Sequence, residues 1–332
     1  MAVQLTIIGL GQIGASVGMA LKDKKDSIRR VGYEKDAAVA KAAESLEVVD
    51  EVRSLKDAVR DAGIVLLALP LSEIRETLKQ MGPELQENTV VLDTAPVKGA
   101  VLGWAKEFLP AGRFYLGLVP APHPESFTST ESGLNAASPD LFKRTVMIVD
   151  APPGTPREAE QLAFDLVRLL GAKPMLTDLA ESDGLMTSVH LLPQLAAAAL
   201  LDATVGQAGW AEARKLAGRP YAGVTGGLAY YDDVASLRSA ILANRINVVN
   251  ALDMLIASLH GLRGDIQNGD EESVDERLQQ AFDSRERWLD ERSAAEWLKE
   301  GGDQAELPGF GEQVLQTLFG QRIIDRARKK NN

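Results

Sequence analysis

The chain has 332 residues, with 45% hydrophobic and 25% charged side chains. That suits about two ordinary globular domains with real cores and excludes a disordered or collagenous chain. Its 36 basic and 47 acidic side chains leave a net charge of −11, and it has no cysteine and only three histidines, His123, His190 and His260. A main role in nucleic-acid binding is therefore not expected, disulfides and cysteine-ligated metals are excluded, and no metal site is expected. A small anionic substrate remains compatible, because a local basic pocket can sit on an acidic protein.

The elements alternate through the first half. Strands are predicted at 3–8, 28–33, 63–69, 89–92, 113–118, 145–149 and 174–177. Helices are predicted at 13–24, 37–46, 72–81, 98–108 and 156–170. Strands alternating with helices of this length imply a doubly wound parallel sheet. After about Leu179 the strand signals vanish, and helices are expected at 181–206, 234–262, 272–300 and 311–328. The fold class is thus α/β: a Rossmann-type parallel sheet over residues 1–178, then an all-helical domain over 179–332. The N-terminus runs directly into a strand, so no targeting segment is expected. The most apolar stretch, 189–201, is interrupted by His190, Pro193 and Gln194 and reads as too short to span a membrane. The basic residues Arg326 to Lys330 read as a solvated tail. A cytoplasmic protein without a membrane partner is the expectation.

Gly9-Leu10-Gly11-Gln12-Ile13-Gly14 follows the first strand and opens the first helix. In that context G-x-G-x-x-G is a dinucleotide fingerprint. Gly9 permits the tight turn, Gly11 lets the backbone approach a pyrophosphate, and Gly14 lets helix and strand pack closely. The helix N-terminus supplies free N–H groups and partial positive charge to phosphate. Glu34 lies 20 residues beyond Gly14, at the end of the second strand. A carboxylate there accepts ribose hydroxyls and repels a 2′-phosphate, which favours NAD over NADP, although Lys35 next to it blurs the preference. Leu69-Pro70 and Thr94 follow the next two strands and are expected to border the nicotinamide. Asp93 reads either as a helix N-cap or as a ligand contact.

The GLGQIGAS opening, the VGYE strand end, the LLALP strand and the LDTAPVK loop resemble the prephenate and arogenate dehydrogenase family. The SGLNAASPDLF stretch, the LLGAKP strand entry and LANR on a long helix are similar to it as well. The resemblance covers roughly residues 3–262. It implies a Rossmann domain with a helical dimerisation domain, hence a homodimer. It also implies hydride removal from the ring carbinol of prephenate or arogenate, with loss of carbon dioxide and aromatisation towards tyrosine. Such a site needs an acceptor for the hydroxyl proton and cations for the carboxylates.

The departures from the family pattern fall on the chemistry. The family's Gly-x-His-Pro turn aligns from Gly117 onto Val119-Pro120. His123-Pro124 lies four residues on, and it takes the histidine's role after a small insertion or is a surface residue of a proline-rich loop. Ser-Val-Lys reads Pro96-Val97-Lys98, where Lys98 binds a carboxylate or starts a helix on its solvated face. Ser-His-Leu-Pro-His reads His190 to Gln194. Its histidine has moved one position, about 100° on an α-helix, towards the cleft or onto the helix surface. The arginine of a Thr-Arg pair is replaced at Thr225-Gly226, with Arg219 and Arg238 nearby. Asn244 matches the family. Gly223 to Gly227 with Tyr230 and Tyr231 reads as a flexible loop that closes over the site, and His260 as structural. Two other readings stay open: a dehydrogenase of another small carboxylic acid, and a non-catalytic NAD-binding protein.

Overall fold

A computed structural model describes residues 2–230 and 233–295. They fall into two compact units that divide between Ser182 and Asp183. The first unit is an eight-stranded sheet in the order β3-β2-β1-β4-β5-β6-β7-β8. Its strands are β1 (Val3–Ile8), β2 (Ile28–Tyr33), β3 (Glu51–Val52), β4 (Ile64–Leu67), β5 (Val90–Asp93), β6 (Phe114–Pro120), β7 (Val146–Asp150) and β8 (Lys173–Thr177). The helices are α1 (Gln12–Ala20), α2 (Ala37–Ser45), α3 (Leu55–Val59), α4 (Leu71–Met81), α5 (Lys98–Phe108) and α6 (Arg157–Leu169). β3 and α3 are too short to leave a periodic signal, and sequence reading passes over both.

The sheet departs from a wholly parallel one at a single pairing. β6 and β7 are antiparallel, with Gly117 opposite Asp150. The reason lies in their connection. A parallel step needs a crossover, usually a helix. Between β6 and β7 stand only the 3-10 turns Pro124–Thr128 and Gly133–Ala136, in a stretch broken by Pro120, Pro122 and Pro124. Strands β1, β4 and β5 are solidly buried, as runs of Val, Ile and Leu covered on both faces should be.

One charged side chain is built into this core. Arg30 on β2 is fully buried. Its guanidinium donates to Asp50 at 2.6 Å and to the carbonyls of Gly18 (2.8 Å), Val48 (3.2 Å) and Glu47 (3.3 Å). The end of α1 is thereby tied to the turn between α2 and β3.

The second unit is helical. α7 (Leu179–Met186), which enters it, a π turn (Thr187–Leu191) and α8 (Leu192–Val205) form one continuous run. That run has 27 residues, a mean hydropathy reaching 1.4 and only 22% of its most apolar stretch buried. By length and composition it could cross a membrane, which corrects the expectation of a stretch too short to do so. Pro193 does not interrupt it: the proline follows directly on the π turn, and local π geometry is one way a helix accommodates a missing N–H.

α9 (Trp210–Leu216), α10 (Arg219–Thr225) and a 3-10 turn (Gly226–Tyr230) follow. The stretch 223–230, expected as a loop, is therefore helical, and Tyr231 lies outside the described residues. α11 (Val234–Ala243) and α12 (Arg245–Asn268) replace the single helix expected over 234–262, with a 93° bend between them. Asn244 is the break. Its side-chain amide donates to the Asp183 carbonyl at 2.8 Å and to Thr187 Oγ1 at 2.7 Å, and its backbone leaves helical geometry to allow this. α13 (Glu271–Ala294) completes the described chain. The helix expected at 311–328 and the basic residues 326–330 lie outside the described residues.

Candidate active site

In the first unit β1, β4 and β5 are neighbours and parallel. The loops after them, 9–11, 68–70 and 94–97, therefore leave the same edge of the sheet. This is the crevice where doubly wound sheets bind their ligands.

The three fingerprint glycines are glycine for different reasons. Gly9 has φ +92, and a Cβ on it would lie 2.3 Å from the Ala68 carbonyl oxygen. A Cβ on Gly14 would lie 2.0 Å from the Gly9 carbonyl oxygen. Packing within the protein demands both. A Cβ on Gly11 meets nothing within 4 Å, and Gly11 has an ordinary extended backbone with φ −75. Nothing in the chain itself requires glycine there. Gly11 is also the N-cap of α1, no side chain caps that end, and the first turn holds no acidic residue. The amides of Gln12 and Ile13 stand at this uncapped, partially positive end.

Glu34 turns back onto the glycine loop. One carboxylate oxygen accepts from the Leu10 amide at 2.9 Å, the other from Asp36 N at 3.1 Å. A carboxylate offers about four lone pairs, so acceptor capacity remains for ribose hydroxyls. Lys35 is ion-paired with Glu73 of α4. Leu69 and Pro70 are half-buried, and Pro70 is the N-cap of α4. Thr94 donates to the Leu67 carbonyl through its amide (3.0 Å) and its hydroxyl (3.3 Å), so the loops after β4 and β5 are tied together.

A further contact lay beyond sequence reasoning. The segment 133–138 docks on α1. Gln12 Nε2 donates to the Ala136 carbonyl at 3.3 Å, and Ser138 N donates to Ser16 Oγ at 3.0 Å. Polar residues in a loop and a helix carry no local sign that they will meet.

Asp93 is neither helix N-cap nor exposed ligand. It is fully buried, and the cap of α5 is Val97. Its carboxylate accepts from Ala95 N (2.8 Å), Lys98 Nζ (3.1 Å) and the Tyr115 hydroxyl (2.6 Å). Lys98 is fully buried as well, so the solvated helix face is ruled out for it.

His123 stands in the loop after β6. That strand is parallel to β5, so the loop leaves the same edge of the sheet as the three loops above. The imidazole is 32% exposed. It caps the 3-10 turn at Pro124, with Nδ1 accepting from Glu125 N at 3.4 Å.

In the second unit His190 lies inside the π turn. A π turn bonds i to i+5, so the 100° step of an α-helix does not apply there. Such turns are frequent at functional sites. Burial lowers the pKa of the His190 imidazole, which keeps it neutral at pH 7. Its carbonyl accepts from the buried Gln194 side chain at 2.8 Å. Arg219, Arg238 and His260 are exposed.

The strand order, the positive-φ Gly9 and the uncapped α1 beside an acidic β2 end define a Rossmann-type nucleotide-binding domain. The family model for the prephenate dehydrogenase nucleotide-binding domain matches residues 17–176. The cyclohexadienyl dehydrogenase of Zymomonas mobilis is 28% identical over 203 residues, which are 61% of this chain and 67% of that protein. The prephenate dehydrogenase of Bacillus subtilis is 23% identical over 285 residues, 85% of this chain and 75% of that one. A crystal structure of the A. aeolicus prephenate dehydrogenase in complex with hydroxyphenyl propionate and NAD+ shares the fold. Its TM-score is 0.75 at 22% identity, covering 86% of this chain and 98% of that one. Residues 17–176 thus match the prephenate dehydrogenase nucleotide-binding domain, and these relatives are dehydrogenases of prephenate or cyclohexadienyl type.

Proposed function

We propose that the protein is an NAD-dependent dehydrogenase that oxidises and decarboxylates prephenate or arogenate. The observation that carries the cofactor reading is Gly11: the open space where its side chain would stand is explained by the approach of a pyrophosphate to the N-terminus of α1. Gly9, Gly11, Gln12, Ile13 and Gly14 hold the pyrophosphate through backbone amides. Glu34 accepts the ribose hydroxyls, and Leu69, Pro70 and Thr94 line the nicotinamide end. Pairing with Glu73 holds the Lys35 ammonium on α4, so Glu34 sets the preference for NAD over NADP. Bound NAD would supply the hydride acceptor. His123 takes the hydrogen bond, and then the proton, of the substrate hydroxyl. Within the helical unit, His190, with its neutral imidazole, is the candidate catalytic residue.

The test is an absorbance assay for reduced nicotinamide, with NAD or NADP and with prephenate and arogenate in turn. Turnover with NAD supports the reading. Confirmed NAD binding without turnover of either acid would overturn the substrate assignment. It would favour another small carboxylic acid or a non-catalytic role, and Gly226, standing where the family has its arginine, makes another acid the second reading.

Gly11→Val separates ligand from fold. The substitution is expected to cost little stability, under about 1 kcal/mol for a poorer N-cap, and to weaken NAD binding by about 100-fold, roughly 2.7 kcal/mol. Gly14→Ala is expected instead to cost stability, by about 1–3 kcal/mol for overpacking. Titration calorimetry and thermal melts check both. An unaltered NAD affinity in Gly11→Val would place the cofactor elsewhere.

The apolar side chains Leu242, Ile246, Val249, Met254, Leu259 and Ile266 are about half exposed or more. Exposed apolar side chains in this number on two successive helices suit an interaction surface. We assign it to a homodimer rather than to lipid, in a cytoplasmic protein without nucleic-acid partners. Light scattering that gives a monomeric mass in dilute solution would refute the dimer.

A further inference from the structure

We infer that Lys98 is a positioning residue: it clamps the Thr94–Val97 loop from beneath, through Asp93, and does not bind substrate. Lys98 is the first residue of α5, where the positive end of a helix disfavours a cation. It is nonetheless fully buried. Its ammonium turns back to Asp93, donating to the main-chain carbonyl at 2.9 Å and to the carboxylate at 3.1 Å. Both ends of the intervening loop are thereby held together, and Ala95 N closes on the same carboxylate oxygen at 2.8 Å. The Tyr115 hydroxyl fixes the other oxygen at 2.6 Å.

The channel for the lysine stem is made by a missing side chain. Asp93, Gly117 and Asp150 stand in a row across β5, β6 and β7. A Cβ on Gly117 would lie 2.7 Å from Lys98 Cδ, 3.1 Å from Cε and 3.2 Å from Asp150 Cβ. Beyond the glycine, the buried Asp150 accepts from Ser182 Oγ at 2.7 Å.

Burying charge is expensive, and an apolar side chain of similar volume often serves stability as well or better. Methionine would fill the same channel without that cost. What lysine adds is the pair of bonds to Asp93, and these fix the loop. Through Thr94 the loop is joined to Leu67 at the end of β4, inside the crevice assigned to the cofactor. The inference rests on the dehydrogenase reading only for its kinetic consequence.

The test uses the full chain with Lys98→Met and, independently, Gly117→Ala. The second pushes the stem aside and leaves every charge in place. Two readouts are taken: hydrogen exchange at the Ala95 and Val97 amides, and kcat with KM for NAD and for the acid substrate. Both variants are expected to exchange at least tenfold faster at those amides. Both are also expected to lose at least tenfold in kcat, with KM for the acid substrate within threefold. A substrate-binding lysine would give the reverse: a KM for the acid raised tenfold or more in Lys98→Met and unchanged loop exchange. That result overturns the inference. So does a lowered melting temperature with unchanged exchange and kcat, which would make the lysine merely structural. If Lys98→Met does not fold, Gly117→Ala and the milder Tyr115→Phe carry the same readouts. If the wild-type protein turns over neither acid, the function reading fails, and the exchange measurement still decides the role of Lys98.

Discussion

His123→Ala is expected to lower kcat by roughly 100- to 10,000-fold, the range that a positioned general base contributes, while NAD affinity stays the same. The fold should survive. The turn is held by the His123 main chain, whose amide donates to the Leu141 carbonyl at 2.7 Å and whose carbonyl accepts from Ser126 N at 2.9 Å and Oγ at 2.7 Å. The imidazole itself adds one long cap bond of 3.4 Å, so the stability cost should be under about 1 kcal/mol. That bond uses Nδ1 as an acceptor. With Nδ1 accepting, the proton of the neutral ring sits on Nε2, so the general-base role requires the other tautomer: the long cap bond is given up, Nδ1 carries the proton beside the Glu125 carboxylate at 3.8 Å, and Nε2, which has no partner among the described residues, accepts from the hydroxyl. Steady-state kinetics beside a thermal melt test the assignment. A variant that keeps a third or more of wild-type kcat would move the base elsewhere, and His190 would be tested next.

Arg30→Met is expected to destabilise the first unit by about 2–4 kcal/mol, mainly because the buried Gly18 and Val48 carbonyls lose their donor. The volume stays similar, but three carbonyls lose the guanidinium, and the Asp50 carboxylate keeps only the residue-30 amide at 2.8 Å and Lys25 at 3.9 Å. Burial alone would raise the Asp50 pKa, yet the Arg30 hydrogen bonds and charge outweigh it and hold the carboxyl below its ordinary 3.8. A carboxyl depressed in the folded state contributes stability above its unfolded pKa and loses it as pH falls through the folded value. The gap between wild type and variant should therefore be full at pH 7 and begin to close only below about pH 4. Urea unfolding across that range measures it. Adding Asp50→Asn to the variant should return little, because the Asp50 carboxylate reaches solvent and keeps the residue-30 amide. Equal stability of wild type and Arg30→Met at pH 7 would show that the pair is dispensable.

Local chemistry made much of this molecule legible in its sequence. The apolar run Val3–Ile8, the turn-and-helix grammar of Gly9 to Gly14 and the periodicity of 98–108 each encode their element within a few residues. The acidic end of β2 could be read the same way, since Glu34 acts on a loop that the same short unit supplies. The π turn, the 93° break at Asn244 and the burial of Lys98 could not be read so. A lysine at the start of a helix has the same local signal whether it faces water or Asp93, and only the strand pairing that lays Gly117 beside it opens the channel inward. Asn244 looks like any polar helix position until Asp183 and Thr187 arrive from 57 and more residues away to take its amide. Backbone geometry and apolar periodicity repeat over short stretches and are therefore legible residue by residue. The tertiary structure decided which polar groups are buried and which loops are joined, because those outcomes depend on partners that are distant along the chain.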